Sequence, residues 1–323
     1  MIVSKDGSGD FKTVQDAINS IPITNKEKIV INIKNGIYKE KIYINVDNVI
    51  LLGESKANTI LTYDDYAYKE SISGEKMGTF NSFSTFVGGD NFCAQNITFE
   101  NSSGSGDIYG QAVAIYVDGD KAKFKNCSFI GCQDTIFTGP LPPKPKKGNW
   151  FGGPKDRAPR RPVRQYYEDC YIRGDIDFIF GSATAVFNLC VIFSNNRDRE
   201  VNGYITAAST SEGERFGYIF TNCKLLSDAA PNSVYLGRPW RDYAKTTFIN
   251  CFMGEHIIRE GWHNWDRTVT EQTASYEEYN SSGPGGKLDN RAIWAKVLSD
   301  EEVKDYNIDN ILGPDFNYEF YKS

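Results

Sequence analysis

The sequence predicts an all-β solenoid, and three observations carry that prediction. Short strand-like runs dominate the chain, and helical periodicity is scarce. Aromatic residues make up 14% of it, with 19 Tyr and 20 Phe, a composition that suits strands better than helices. A short motif also returns: Asn or Asp, then Cys, then any residue, then an apolar one. Its copies are NCSF from Asn126, DCYI from Asp169, NCKL from Asn222 and NCFM from Asn250. LCVI from Leu189 keeps the cysteine, and QNITF from Gln95 puts Ile97 in its place. Successive cysteines stand from 20 residues (Cys170 to Cys190) to 43 residues (Cys127 to Cys170) apart. One solenoid rung plus variable loops consumes about that much chain. A single rung cannot bury its own apolar face, so stacked neighbours must supply the core. Cysteine then fits best as a small buried side chain in an internal ladder.

The elements follow in chain order. TVQDAINSI places Val14, Ala17, Ile18 and Ile21 on one helical face, with Thr13 and Asp16 spaced as a capping box. This helix is expected to cap the open N-terminal end, where exposed strand edges invite aggregation. KIVINIKNG, VDNVILLG, AVAIYVDGD and KTTFINCFM read as strands. Near the end, LSDEEVKDY sets Ser299 and Glu302 in capping-box positions and predicts a second helix. One domain is expected over residues 1–323, interrupted by a Pro-, Lys- and Arg-rich insertion at about 139–164.

Composition narrows the function classes. The formal charge of -6 and the 40% hydrophobic content describe an ordered globular chain with no nucleic-acid signature. No apolar run reaches membrane-spanning length, so no membrane partner is expected. The start MIVSKDGSGDFKTVQ lacks a signal-peptide h-region, which gives a cytoplasmic expectation, or a secreted one if a leader has been removed. The seven cysteines form no C-x-x-C pair, so neither a metal nor a redox site is expected. With only His256 and His263 and no G-x-S-x-G, a Ser-His-Asp hydrolase is poorly supported. GSGDFK lacks the ending of a phosphate loop.

Carboxylates remain. Asp177 in RGDIDFIFGSATAVF and Asp134 in GCQDTIF both stand among small or apolar residues. A lone carboxylate in such company is costly unless paired or functional. Two of them can divide acid and base work, and an adjacent amide such as Gln133 can stabilise an oxyanion. YLGRPW adds Arg238, able to hold a carboxylate ionised, and Trp240, able to stack on a sugar. On spacing alone, a structural Asp–Arg pair explains these residues as readily as a catalytic one.

Taken together and in order, DGSGDFKTVQDAI, NGIYKEKI, GQAVAIYVDGD, GCQDTIF, GDIDFIFGSA and YLGRPWRDY resemble the pectin methylesterases, a carbohydrate esterase family. The resemblance extends to ASYEEYNSSGPGG near the C-terminus, and its bacterial members are the nearest in type. It implies a right-handed parallel β-helix, and pectin or methylated oligogalacturonide as substrate. The implied reaction is hydrolysis of galacturonate methyl esters without a cofactor. It implies that Asp177 is the nucleophile and Asp134 the acid and then the base. It implies that Gln111 and Gln133 stabilise the oxyanion, that Arg238 orients Asp177, and that Trp240, Thr79 and Phe180 contact substrate. A monomer is expected. GDIDF departs from the family's usual Gly-Thr-Val before the nucleophile. On a strand, Asp175 would share a face with Asp177 and raise one of their pKa values.

Competing readings are a catalytically inactive solenoid that binds acidic polysaccharide and a pectate lyase-like enzyme, although no lyase motif set is present. The insertion from Gly139 to Arg164 holds four Lys and four Arg against one Asp, about +7. Its seven Pro and four Gly exclude a regular helix or central strand. It reads either as a solvated loop or as an electrostatic arm for a polyanion. Lys144, Lys146, Lys147, Arg160 and Arg161 are the candidate contacts, and Trp150 and Phe151 the candidate stacking surface or anchor.

Overall fold

The computed structural model describes residues 1–70, 74–146 and 148–322. Among them the strands form three parallel sheets of eleven, eight and seven strands, and the chain visits the sheets in turn. Ala122–Lys125 belongs to the first, Ser128–Ile130 to the second and Ile136–Thr138 to the third. Arg164–Glu168, Tyr171–Gly174 and Ile176–Gly181 repeat the circuit one rung on. Each strand pairs with its counterpart: Phe124 with Tyr167, Phe129 with Ile172, Ile136 with Ile179. The fold is a right-handed parallel β-helix, the solenoid that the repeat predicts.

The repeat motif is the corner between the first and second sheets. Asn96, Asn126, Asp169, Leu189, Asn222 and Asn250 all take a left-handed φ, between 48° and 58°. Asn and Asp tolerate this backbone better than other residues with a Cβ. Leu189 adopts it without a short polar side chain and is left exposed. The cysteine that follows turns inward, and Cys127, Cys170, Cys190, Cys223 and Cys251 are buried free thiols. Each donates to a carbonyl of the preceding rung, as Cys170 does to Phe124 O at 3.7 Å and Cys190 to Tyr167 O at 3.6 Å. Beside this ladder runs a stack of rings, Phe124, Tyr167, Phe187, Phe220 and Phe248, with neighbouring centroids 4.8, 4.6, 4.5 and 4.5 Å apart. Identical register on every rung brings like onto like, and the core is this column.

The N-terminal helix spans Val14–Asn19 and buries Val14, Ala17 and Ile18. Only half of the expected capping box forms. Thr13 accepts from the Asp16 N–H at 3.1 Å, while Glu40, not Asp16, takes the N–H groups of Val14 and Gln15. At the other end the expected helix is a single 3-10 turn, Glu302–Asp305. Its capping box is complete, since Ser299 and Glu302 bond reciprocally. The turn stops because Asn307 starts a separate helix, Ile308–Leu312, by accepting from the Asn310 N–H.

The third sheet has a second apolar face. Ile136 and Ile179 point into the solenoid, whereas Phe137 and Phe180 point out. With Phe86, Tyr116 and Ala207 they form an outer layer, covered by Phe80, Phe83, Leu141, Phe151 and Trp240 from loops. This loop-covered face positions the site.

Candidate active site

Asp177 lies in the strand Ile176–Gly181 with φ 50°, where the register against Gly203–Ala208 shifts between Ile176 and Ile179. This is a β-bulge, and it re-aims the side chain. Asp134 has φ 64° and precedes the strand Ile136–Thr138. Because Ile136 faces Ile179, the two acids two residues earlier occupy one column on successive rungs, spaced about 4.8 Å as neighbouring strands are. The left-handed turn at Asp134 also breaks the in–out alternation, so Gln133 and Asp134 both reach the groove.

The same bulge overturns the expectation for Asp175. It is buried, but its Oδ1 accepts from the Ile176 N–H at 2.8 Å, and it lies with Cys132, Asn195 and Arg197 rather than beside Asp177. Burial raises its own pKa. Its charge is the least of the causes acting on Asp134.

Arg238 follows the strand Val234–Gly237, two rungs beyond Asp177 in the third sheet, and its side chain reaches back. Nε donates to Asp177 Oδ1 at 2.8 Å and Nη2 to Oδ2 at 2.7 Å, a bidentate pair. Its guanidinium carbon lies 3.8 Å from the ring centroids of both Tyr204 and Trp265. This aromatic clamp fixes the fork while leaving its charge unsaturated by other carbonyls.

These residues line one groove of about 230 Å³ with Thr79, Phe80, Gln111, Gln133, Phe180, Ala207 and Trp240. Thus every residue predicted from sequence meets at one place. Phe80, Ala207, Tyr204 and Trp265 were not legible as site residues. Trp265 stands in GWHNWD, and its left-handed φ of 56° is visible only in the structure. Among the described residues, neither the Gln111 nor the Gln133 side-chain amide has a hydrogen-bond partner, so both can donate to a ligand. Trp240 stacks on Phe80, with centroids 6.2 Å apart, and meets Phe180 edge-on at 5.8 Å. Phe180 is itself almost fully buried and serves as floor.

Electrostatics separates the two acids. Burial raises the pKa of Asp177, and the charge and hydrogen bonds of Arg238 oppose the rise. Burial raises Asp134 well above the ordinary carboxyl range, and the neighbouring Asp177 charge adds to it. The two acids therefore differ: a bidentate guanidinium opposes the effect of burial at Asp177, whereas a neighbouring carboxylate adds to it at Asp134. Among the described residues no group of His, Cys, Asp and Glu is placed to hold a metal ion.

The insertion proves ordered by its own charges. Arg160 donates to the carbonyls of Pro142, Lys155, Asp156 and Ala158, and Arg161 pairs with Asp90. Arg160 is thus taken up by the loop itself and leaves the candidate arm, whereas Arg161 is half-exposed in a surface ion pair. Lys147 lies outside the described residues. Phe151 packs edge-on against Phe80 at 5.5 Å and anchors the loop, while Trp150 is exposed under Arg157.

The chain is similar to known proteins over nearly its whole length. The pectinesterase family model matches residues 1–140 and 153–315. Pectinesterase 31 of Arabidopsis thaliana is 36% identical over 97% of this chain and 92% of its own length. The solved pectin methylesterase PemA from Erwinia chrysanthemi superposes with a TM-score of 0.79 at 29% identity, covering 97% of this chain and 96% of its own. A pectin methylesterase solved in complex with a hexasaccharide gives 0.81 at 29% identity, covering 99% and 98%.

Proposed function

The chain belongs to the pectinesterase family, and from that premise we propose how its groove hydrolyses the ester. It is a carboxylic ester hydrolase that removes methyl esters from pectin. The observation that carries the mechanism is the clamped, bidentate Arg238–Asp177 pair one rung from the buried Asp134, whose pKa burial raises.

Asp177 attacks the carbonyl carbon of the methyl ester. The apolar wall keeps water off its carboxylate, and Arg238 keeps it charged and aimed. The carbonyl oxygen becomes an oxyanion that accepts from the amide N–H groups of Gln111 and Gln133; losing one such donor elsewhere costs about 10²–10³ in rate. As the tetrahedral adduct collapses, the C–O bond to methoxide breaks and Asp134 gives it a proton. Methanol leaves, an acyl–Asp177 anhydride remains, and Asp134 is ionised. Asp134 then takes a proton from water as that water adds to the anhydride. Collapse releases the uronic acid, which gives its proton to solvent and leaves as galacturonate, and restores Asp177 as carboxylate and Asp134 as acid. Trp240 and Thr79 hold the sugar on the aromatic floor, and the enzyme acts as a monomer. Lys146, whose ammonium meets the Trp265 ring, remains as the insertion's basic residue at the groove.

Incubation with fully methylated oligogalacturonide tests the reading. Methanol with an unbroken sugar chain is the expected product. An unsaturated, shortened product would favour a lyase, and binding without methanol would favour the inactive solenoid.

A further inference from the structure

The insertion brings to the groove one basic side chain that no carboxylate meets. Lys146 lies in the stretch 141–152, outside the residues that match the family model. Its ammonium sits 4.7 Å from the ring centroid of Trp265, the ring that also faces Arg238. Among the described residues no acidic group comes within ion-pair distance of it. Its charged neighbours are Arg267, Arg241 and Arg238, against the carboxylates of Asp242 and, across the groove, Asp177.

The surrounding guanidiniums are likewise short of anions. Arg241 donates to the carbonyls of Trp240 and Lys144 and, among the described residues, pairs with no carboxylate. Arg267 pairs with Asp242 and with the Pro239 carbonyl, and its Nε is buried without a partner. Lys146, Arg238, Arg241 and Arg267 thus face only Asp177 and Asp242. Partial burial first, and this local excess of cations second, lower the Lys146 pKa to about 8. Cations crowded without counter-charge are relieved when an anion enters. The cluster is continuous with the groove, since Trp240 and Trp265 line the groove and also touch Arg241 and Lys146.

We propose that Lys146, with Arg241 and Arg267 beside it, forms a subsite for the free carboxylate of a de-esterified uronate next to the ester being cleaved. The proposal rests on the esterase reading above and refines its substrate class. Lys146 is a specificity residue here. A chain that already carries free carboxylates binds better than a fully methylated one, and the product chain is retained.

Trigalacturonate is the probe, and calorimetric titration into the whole protein is the measurement. Lys146→Met should weaken binding about tenfold at low salt, Lys146→Arg should restore most of it, and roughly 0.5 M salt should compress the difference. Turnover supplies the second readout. The ratio of kcat/KM on half-methylated to fully methylated hexamer should fall about fivefold in Lys146→Met and recover in Lys146→Arg. Equal losses on the two hexamers, or trigalacturonate binding unmoved by Lys146→Met, would overturn the subsite. Trigalacturonate has no ester, so its binding is read without turnover. Methanol from the wild type on fully methylated oligomer tests the esterase reading separately.

Discussion

Among the described residues, the two most buried arginine–carboxylate forks differ in how completely they are satisfied. Arg291 and Glu278 close the C-terminal end. Arg291 Nε donates to Glu278 Oε1 at 2.8 Å and Nη2 to Oε2 at 3.1 Å. Arg291 also donates to the carbonyls of Ile258, Arg259 and Gly285, and Trp262 Nε1 donates to Glu278. Arg238 and Asp177 form the same fork at 2.8 and 2.7 Å, yet among the described residues the Arg238 guanidinium donates to nothing else and the Asp177 carboxylate accepts from nothing else. Aromatic faces hold Arg238 where carbonyls hold Arg291. A saturated fork is a staple. An unsaturated one keeps a lone pair for chemistry, and its burial raises the carboxylate's energy without closing its access.

Breaking the staple should have the largest effect on stability. Arg291→Met strands Glu278 in the core and should cost about 3–5 kcal/mol in denaturant unfolding, with kcat per folded molecule retained. Breaking the other fork should reverse the pattern. Arg238→Met should lower kcat/KM roughly 10²–10³-fold in a methanol assay, with little change in unfolding, because Asp177 can take up a proton instead of remaining a stranded charge.

The pH dependence sharpens the contrast. Asp177 must be ionised and Asp134 protonated, so kcat/KM should rise as the pair loses its first proton and fall as it loses its second. Both directions of shift are upward, so the falling limb should lie well above the ordinary carboxyl range. The sign for stability follows from the same shift. The folded-state pKa of Asp134 is raised, so its contribution is fully present below the unfolded value and is lost as pH rises through the folded one. Asp134→Asn should therefore abolish most turnover while raising the melting temperature at neutral pH. The smallest effect is expected at the clamp. Trp265→Leu removes one ring from Arg238 and should lower kcat/KM about tenfold with a smaller change in KM.

Much of this was legible in the sequence because the solenoid repeats itself. The Asn-Cys corners announce a left-handed residue and an inward thiol on each rung, and the structure puts Cys127, Cys170 and Cys190 in one column. The groove residues were legible through motif order, not through spacing. What stayed hidden depends on local backbone twists and on contacts distant in sequence. Asp175 was expected beside Asp177 because strands alternate, and the bulge at Asp177 cancels that rule. Tyr204 and Trp265 meet Arg238 from separate rungs and loops, and no sequence period links them. In the insertion, net charge hid a division of labour. Arg160 is used up on the loop's own carbonyls, whereas Lys146 stands at the groove.

The most direct test measures methanol release and thermal unfolding on two neutralised forks side by side, Asp177→Asn and Glu278→Gln. The account predicts that they cross. Asp177→Asn should lose turnover by about 10⁴-fold or more while melting close to the wild type. Glu278→Gln should melt several degrees lower and keep its kcat. Near wild-type turnover in Asp177→Asn, or loss of kcat in a fully stable Glu278→Gln, would contradict the assignment of the unsaturated fork to catalysis and the saturated one to structure.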